Sequence, residues 1–444
     1  MPRLSVVAVL GVIMSVGCSQ PEEPIRPDLA KATTGPSVTA ADPSFGRRGD
    51  VGLAVTILGS GFDQGSQASW ELGGTTDPKI VVRSTQFISS SQLVATIDIQ
   101  SDATLSLYDV AVTTGLGRKG IGTAKFEVTQ AQPIAGTESA FGVNEGGEAT
   151  GRLGPAGAFY WNVASGLITL GTPGRAFDIS EDGRTVAGFT GVCCAGGFVH
   201  VNAGGVWQLT VLPRDPAATS HAAQAVASNP LTGAAVIVGG FEFYSAKGNN
   251  LNRKPRLWYP DGAGGWTRVA LPAPGGTTDS PLFDVNAAGM AVGSVGGRAA
   301  IWSPNGPAVW TQATIGGSGS GARAINAAGT LAVGFVAAGG GTAAQYWTVS
   351  GGIWTGHGLP GGCTEAVDVD GSGRILANGC ANGNRNTPAV ISPPYATGDV
   401  RLLGALGQTG TTSASRMSAG GAWAVGEAAY KSGSIGVRWA VGVP

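Results

Sequence analysis

Charged residues are scarce in this sequence of 444 residues: Asp, Glu, Lys and Arg together make up 12% of it, about half the usual share. The formal net charge is −1, so the composition gives no electrostatic reason to expect nucleic acid as a partner. Histidine occurs three times, as His200, His221 and His357, and no Cys-x-x-Cys pair is present. We therefore predict no metal site and no cofactor, because structural zinc sites draw on clustered cysteines and histidines.

Catalytic motifs are missing as well, and we predict no catalytic residues. The sequence has no Gly-x-Ser-x-Gly elbow, no zinc-protease His-Glu pair and no phosphate-binding loop. The stretch Asp368-x-Asp370-Gly-Ser372-Gly373 begins like a calcium loop, but Gly379 stands where an acidic twelfth residue is needed. We interpret this stretch as a turn. Carboxylate pairs for glycoside hydrolysis meet only after folding, so a carbohydrate-active enzyme stays open as an alternative.

What the sequence does contain is one pattern that returns seven times after Ala140. An apolar anchor residue is followed by a polar turn that ends in glycine, and the spacing of the anchors averages about 46 residues. A period of this length is typical of one four-stranded blade of a β-propeller. The anchors are Val143, Ile179, Val226, Val285, Ile325, Val369 and Met417.

Each copy supplies residues for four short strands. The second strand carries an Ala/Val-Gly pair, as in Val186-Ala-Gly188, and the third strand carries an aromatic residue. Small residues suit positions where sheets crowd around an axis, and large ones suit positions where the sheets diverge. We therefore predict that the third-strand tryptophans pack between sheets; they are Trp161, Trp258, Trp302, Trp347 and Trp439.

The repeat predicts a β-propeller of about seven four-stranded blades, with a linear solenoid as the competing architecture. The last copy ends after Trp439-Ala-Val441 and lacks a fourth strand. Because proteins avoid open sheet edges, we expect residues near Gln132–Thr137 to complete that sheet. The best-preserved copy, from Ala158-Phe159-Tyr-Trp161 to Val186-Ala-Gly188, resembles the extracellular HAF-type repeat. The resemblance implies a secreted, β-propeller-like domain over residues 131–444 and no particular chemistry.

A separate small domain is predicted over residues 37–130. Leu53, Val55 and Ile57 alternate as in a half-buried strand, and six or seven short strands in about 90 residues indicate a sandwich. The stretch Pro-x-x-Gly-x-x-Gly followed by Val-x-Ile-x-Gly-x-Gly-Phe62 resembles the IPT/TIG immunoglobulin-like domain. Such domains usually serve as spacers or interaction modules.

The N-terminus reads as a targeting segment. Arg3 precedes an apolar run from Leu4 to Val16 that is too short to span a membrane. Ser15-Val16-Gly17-Cys18 then resembles the bacterial lipobox, with Ser15 in place of the usual Leu. This implies that residues 1–18 are a lipoprotein signal peptide, that Cys18 is lipidated, and that the protein belongs to the outer membrane of the cell envelope, facing the periplasm or the exterior. An ordinary signal peptide is the alternative. Residues 19–36 read as a flexible tether.

The four further cysteines can form disulfide bonds in an oxidising compartment. Cys363 precedes one strand of the sixth repeat and Cys380 follows the next strand, so the two can meet across an antiparallel hairpin. Cys193 and Cys194 form either a vicinal disulfide or remain thiols.

An insertion in the third repeat is our candidate ligand loop. Polar and basic side chains on a loop suit recognition of a polar partner; the candidates are Tyr244, Lys247, Asn250, Arg253 and Lys254. The stretch from Phe189 to Cys194 is a second candidate loop. We expect a non-enzymatic, lipid-anchored protein that presents its repeat domain to a protein or polysaccharide of the envelope, with a purely structural envelope role as a further alternative.

Overall fold

A computed structural model describes residues 35–444 except 172, 192–195, 228–235, 245–251, 275–277, 383–384, 407–410, 431–432 and 442–444. The regular structure in these ranges is β-strand apart from two single-turn 3₁₀ helices, Gly154–Ala156 and Thr397–Asp399. The prediction of an all-β fold is therefore confirmed. Within the same ranges, no helix has the length and hydropathy needed to cross a membrane. Outside the described residues lie Cys18, residues 19–34 of the tether, Cys193, Cys194, Lys247 and Asn250.

The first part of the chain forms a sandwich of two sheets with strand orders β1-β3-β7-β6 and β2-β9-β8-β4-β5. Its strands are β1 Ser37–Asp42, β2 Phe45–Arg47, β3 Leu53–Ser60, β4 Gln67–Leu72, β5 Thr75–Thr76, β6 Ile80–Ser89, β7 Gln92–Ile99, β8 Ser106–Thr113 and β9 Lys119–Thr129. The alternation read from the sequence places Val55 and Ile57 in the core. Trp70 and Phe126 meet edge to face there, with ring centroids 5.6 Å apart.

The rest of the chain forms seven four-stranded antiparallel sheets. Sheet 1 contains β11 Ser139–Val143, β12 Ala149–Arg152, β13 Ala158–Asn162 and β14 Gly166–Thr169, and sheet 2 contains β15 Gly174–Ile179, β16 Thr185–Thr190, β17 Gly196–Ala203 and β18 Val206–Val211. Sheet 3 contains β19 Ala218–Ala227, β20 Ile237–Tyr244, β21 Arg253–Pro260 and β22 Trp266–Ala270, and sheet 4 contains β23 Leu282–Val285, β24 Ala291–Val295, β25 Arg298–Pro304 and β26 Trp310–Ser318.

Sheets 5 to 7 continue the pattern. Sheet 5 contains β27 Ser320–Ile325, β28 Leu331–Ala338, β29 Gly341–Ser350 and β30 Ile353–Gly358. Sheet 6 contains β31 Glu365–Val369, β32 Ile375–Asn382, β33 Arg385–Ile391 and β34 Val400–Leu402. Sheet 7 contains β35 Thr412–Met417, β36 Trp423–Tyr430 and β37 Gly433–Ala440, together with β10 Ala131–Pro133. Each predicted anchor residue stands at or next to the end of the first strand of its sheet.

The seven sheets follow one another around a common axis. The first strand of each sheet contacts the first strand of the next, and β35 of sheet 7 contacts β11 of sheet 1. The contacts therefore run in a circle, and the architecture is β-propeller-like. We call the first strand of each sheet its innermost strand.

Sheet 7 is completed from the other end of the repeat domain. β10 pairs antiparallel with β37, with Ala131 opposite Trp439 and Pro133 opposite Val437, and the Ile134 amide donates to the Gly436 carbonyl at 2.8 Å. The expected closing strand is confirmed, although it begins at Ala131, one residue before the predicted stretch. The edge strand that would otherwise stay open is thus covered.

The Ala/Val-Gly signature has a steric cause. The innermost strand carries a bulge two residues before its anchor in all seven sheets, and the backbone there presses against the second strand. A Cβ atom on Gly188 would lie 2.0 Å from the Arg175 carbonyl oxygen, and one on Gly334 would lie 2.0 Å from that of Gly321. Glycine is needed at these positions because the two backbones approach so closely.

The tryptophan prediction is confirmed for all five residues, since Trp161 also packs on the neighbouring sheet, with its ring centroid 4.6 Å from the guanidinium of Arg438 in sheet 7. Trp258, Trp302, Trp347 and Trp439 are fully buried between sheets, while Trp161 is half-buried. The indole nitrogens of Trp258 and Trp302 donate to the carbonyl oxygens of Pro213 (2.7 Å) and Pro272 (2.6 Å) in the preceding connection. These two rings therefore fill space between sheets and keep their polar atoms bonded, whereas the buried indole nitrogen of Trp439 has no hydrogen-bond partner among the described residues.

Three further contacts fix parts of the molecule to each other. A disulfide joins Cys363 to Cys380, the pair proposed from the sequence, although Cys380 lies within β32 rather than after it. The buried carboxylate of Glu127 in the sandwich accepts a hydrogen bond from the Ala405 amide at 2.8 Å, and Phe45 meets Tyr430 edge to face at 5.9 Å. The sandwich thus packs on the side of the ring formed by sheets 6 and 7.

Candidate functional site

The axis of the ring is occupied by a group of charged side chains. Arg416 of sheet 7 extends to carboxylates of two sheets that are not its neighbours, with Nη1 3.0 Å from Asp284 of sheet 4 and Nη2 3.4 Å from Asp178 of sheet 2. A third carboxylate, Asp368 of sheet 6, interacts electrostatically with the same guanidinium. We call these four residues the axial plug, because Arg416 crosses the axis.

The plug residues occupy one repeat position, the residue before the anchor. Small and large side chains alternate there over the first six sheets, in the order Gly142, Asp178, Ala225, Asp284, Ala324 and Asp368, and Arg416 of sheet 7 follows directly after Asp368. A Cβ atom at Gly142 would lie 2.7 Å from the Cα of Asp178. Neighbouring sheets therefore cannot all carry a long side chain at this position, since they approach too closely on the axis.

Each aspartate of the plug also ties its sheet to the next one. The Oδ2 atom of each accepts the backbone N–H of the following sheet's anchor: Asp178 from Val226 at 2.9 Å, Asp284 from Ile325 at 3.0 Å, and Asp368 from Met417 at 2.7 Å. Hydrogen bonds from backbone N–H to a carboxylate are among the stronger ones in proteins. The three aspartates thus join sheets 2 to 3, 4 to 5 and 6 to 7.

Burial dominates the acid–base behaviour of the plug. Burial raises the pKa of Asp178 to about 6 and that of Asp368 to about 7, although Arg416 opposes the shift, and it raises the pKa of Asp284 as well. One guanidinium cannot neutralise three buried carboxylates. Near neutral pH the plug is therefore partly protonated.

Below the plug lies a cavity of about 280 Å³ that we call the axial chamber. It is lined mainly by the residues that stand two positions before the anchors, namely Phe141, Phe177, Gln224, Phe283, Arg323, Val367 and Ser415, together with Glu365, Asn378, Ala414 and Arg416. The seven residues of the first group are all half-buried. The chamber lies toward the end at which the innermost strands begin, and the connections between second and third strands leave from the same end.

One side of the axial chamber is aromatic. Phe141 and Phe177 lie with ring centroids 5.6 Å apart, and Phe177 packs on Phe189 at 5.3 Å. Opposite the pair, the guanidinium of Arg323 lies between two further rings, 4.7 Å from the centroid of Phe283 and 5.1 Å from that of Phe335. Cation–π contacts with two rings restrict where this guanidinium can lie.

The polar groups of the axial chamber are only partly engaged. Arg323 Nε donates to Glu365 Oε1 at 2.5 Å, while its two terminal nitrogens meet no acceptor among the described residues. The same holds, in the part of the chain that the structure describes, for the side chains of Gln224 and Ser415. The side chain of Asn378, in contrast, is already engaged within the protein. Its amide nitrogen donates to the Ala414 carbonyl and its amide oxygen accepts the Ala414 N–H, both at 2.8 Å.

A second cavity, of about 180 Å³, lies on the opposite side of the plug beneath the polar turns. Its mouth is spanned by Glu181, whose carboxylate accepts the amide N–H of Glu145 at 3.0 Å and of Ala419 at 3.1 Å. Burial raises the pKa of Glu181. This carboxylate connects the turns of sheets 1, 2 and 7. We therefore assign the groups around the second cavity to the contacts that hold the ring together.

The candidate ligand loop of the sequence analysis is described only at its base. Arg253 pairs with Asp279 at 2.6 Å, and Lys254 Nζ donates to the carbonyl oxygens of Pro274 (3.0 Å) and Thr278 (2.9 Å). The hydroxyl of Tyr244 lies 2.9 Å from Glu242 Oε2 and accepts from Arg256 at 2.6 Å. These side chains serve to brace the ends of the insertion; Lys247 and Asn250 lie outside the described residues.

The calcium-like stretch is a capped turn. Asp370 Oδ1 accepts the amide N–H groups of Ser372 and Arg374 at 2.9 and 2.8 Å, and Oδ2 pairs with Arg374 Nε at 2.7 Å. Asn326 accepts the Thr330 amide in the equivalent turn at 2.9 Å, which explains the repeated polar residue after the anchor. Among the described residues, no three His, Cys, Asp or Glu side chains are grouped so that they could hold a metal ion.

Sequence reasoning missed both the plug and the axial chamber, although a signal was present. The copies read Phe177-Asp178, Phe283-Asp284 and Val367-Asp368 before their anchors. An acidic residue inside a buried strand calls for a partner, and Arg416 stands at the same position of the last copy. Aligning the copies by that position would have pointed to the axis.

Comparisons with known proteins leave the family open. No family model matches the chain, and no curated protein matches it. Among solved structures, a chain of a mitotic checkpoint complex is 12% identical over 70% of this chain and 93% of its own length, with a TM-score of 0.45. TolB from Acinetobacter baumannii is 12% identical over 72% of this chain and 88% of its own length, with a TM-score of 0.35. Both scores are too low to carry an argument, so the fold rests on the sheet order and contacts described above.

Proposed function

We propose that this chain is a non-enzymatic, lipid-anchored protein of the cell envelope that binds a protein or glycan in the axial chamber of a closed, seven-bladed β-propeller. In this proposal Cys18 carries the lipid and residues 19–36 are the tether. The IPT/TIG-like sandwich acts as the spacer; the parallel pairing of β2 with β9 supports an immunoglobulin-like arrangement. The observation that carries the binding role is the axial chamber, which is lined by half-buried aromatic side chains and by polar groups that the protein leaves available.

The lining of the chamber favours binding over the two alternatives. A glycoside hydrolase needs two carboxyl groups that flank the bond to be broken. Apart from the carboxylates held in the plug, Glu365 is the acidic residue in the described lining, and it is paired with Arg323. A purely structural role would not require a lined cavity on the axis.

Retention of the purified chain on bacterial envelope fractions tests the binding role. We expect Phe283→Ala, which removes a chamber wall, to reduce retention at least tenfold. Ile353→Ala, an equally apolar truncation on an exposed outer strand (72% exposed), should leave retention unchanged. Equal retention of both variants and the parent would contradict binding through the chamber.

The lipid anchor is tested separately. Replacing the proposed acceptor by Cys18→Ser should move the protein from the membrane fraction to the soluble fraction and remove the mass of the lipid from the mature chain. An unchanged distribution would show that Cys18 does not carry the anchor.

A further inference from the structure

The chemistry of the axial chamber is specific enough to indicate a class of ligand, provided that the chamber is the binding site proposed above. Its charges, its hydrogen-bonding groups, its aromatic faces and its size each restrict what can enter. Together they leave one class that meets all four conditions.

Charge is balanced in the chamber. Arg323 is paired with Glu365, and Arg416 at the boundary with the plug faces the carboxylates of Asp178 and Asp284. The lining therefore holds no surplus cation that would attract a free carboxylate or phosphate. A strongly anionic ligand would also lie close to the plug aspartates, so the chamber favours a neutral ligand.

The available hydrogen-bonding groups are of both kinds. The terminal nitrogens of Arg323 can only donate, Gln224 can donate and accept, and the hydroxyl of Ser415 can do both. No described residue engages these groups. A purely apolar ligand would cover them and leave them without partners, which costs free energy for each buried polar group. Groups that both donate and accept, such as hydroxyls, suit this set.

The aromatic side calls for a ligand with a flat apolar face. Phe141 and Phe177 form one wall and Phe283 another, while Phe283 and Phe335 each make a cation–π contact with the Arg323 guanidinium. A pyranose ring has C–H groups on its faces and hydroxyls around its rim. Its faces can pack on the phenylalanines while its rim reaches the planar donors of Arg323 and Gln224.

Size limits the ligand to about one ring. The chamber holds about 280 Å³, at or just below the lower end of the range of roughly 300–1,000 Å³ for pockets that enclose a drug-sized molecule. We propose that the axial chamber binds a neutral hexose as the terminal residue of a glycan, with Phe177 and Phe283 packing on the sugar ring and Arg323 donating to its hydroxyls.

The test is direct binding of methyl glycosides of glucose, galactose and mannose to the whole purified chain, by calorimetry and saturation-transfer NMR. We expect one of the three to bind at millimolar concentration or tighter. Arg323→Lys, which keeps the positive charge but loses the planar pair of donors, should weaken that binding at least tenfold, as should Phe177→Ala. Arg298→Lys, the same change at an exposed arginine outside the chamber, should not alter it, and melting curves check that each variant is folded.

Several outcomes would overturn this inference. Methyl glucuronide binding more tightly than every neutral glycoside would show that the chamber selects an anion. If no glycoside binds, but envelope retention persists and is lost in Phe283→Ala, the ligand is a protein and only the sugar assignment fails. If no glycoside binds and retention does not depend on Phe283, the proposed function fails with it.

Discussion

Replacing Asp368 by Asn should change how the stability of the ring depends on pH. Burial raises the pKa of Asp368 from its ordinary value of 3.8 to about 7, so the folded chain holds this proton more tightly than the unfolded chain does. A raised carboxyl pKa makes the free energy of unfolding fall as pH rises between the two values and level off above the higher one. Asparagine does not titrate, so the variant lacks this contribution.

The size of the effect follows from the shift. Each pH unit within the window changes the free energy of unfolding by about 1.4 kcal/mol. From pH 5 to pH 8 the folded chain should therefore lose about 3 kcal/mol relative to Asp368→Asn, most of it below pH 7. For a domain of this length, this corresponds to a relative change in melting temperature of about 5 °C.

The measurement is the melting temperature from pH 5 to 8, followed by the fluorescence of the buried tryptophans. The difference between the two chains is the decisive quantity, because burial lowers the pKa of His200 and His221 and these residues work in the opposite direction in both chains. Asp261→Asn, in an exposed turn, is the control and should follow the parent. Parallel curves for the parent and Asp368→Asn would refute the account of the plug.

Three further changes test the ring itself. Deleting residues 131–138 removes β10 and should lower the melting temperature by many degrees, since sheet 7 then has an open edge; an unchanged melt would contradict closure by this strand. Replacing both Cys363 and Cys380 by Ala should lower the free energy of unfolding by about 3 kcal/mol under oxidising conditions, and a parent chain whose stability does not respond to reductant would speak against that bond. Gly334→Ala places a Cβ 2.0 Å from a carbonyl oxygen and should lower the free energy of unfolding by roughly 1–3 kcal/mol. Gly317→Ala, which has open space at its Cβ, should lower it by less than about 0.5 kcal/mol. Equal denaturation midpoints for the two variants would disprove the steric explanation of the Ala/Val-Gly signature.

Much of the fold could be predicted from the sequence because the constraints behind it are local and repeated. Every sheet needs an apolar residue at the end of its innermost strand and a polar turn after it, so Val143 and its six equivalents mark the sheets. The crowding of the first two strands requires glycine at positions such as Gly188. The missing fourth strand of the last copy likewise predicted β10, since an open edge is a property of the strand count alone.

The candidate site could not be predicted in the same way because its residues meet only through the closure of the ring. Phe141 and Phe283 are far apart in the chain, and they line one chamber because every innermost strand presents the same repeat position to the axis. The composition of the insertion with Tyr244 and Arg253 predicted a ligand loop. In the structure these two side chains bond to Glu242 and Asp279 at the ends of the loop.

The sequence by itself therefore determined the repeating unit and the closing strand, because these depend on strand periodicity and on the need to cover an edge, while it left the number of sheets open between six and seven. Only the tertiary structure decided what lies on the axis. In the sequence, Arg416 is a single arginine in the copy that matches the repeat least well. The closure of the ring places it next to Asp178 and Asp284. Charge pairing and cavity shape are set by distances between sheets, and no stretch of a single repeat contains those distances.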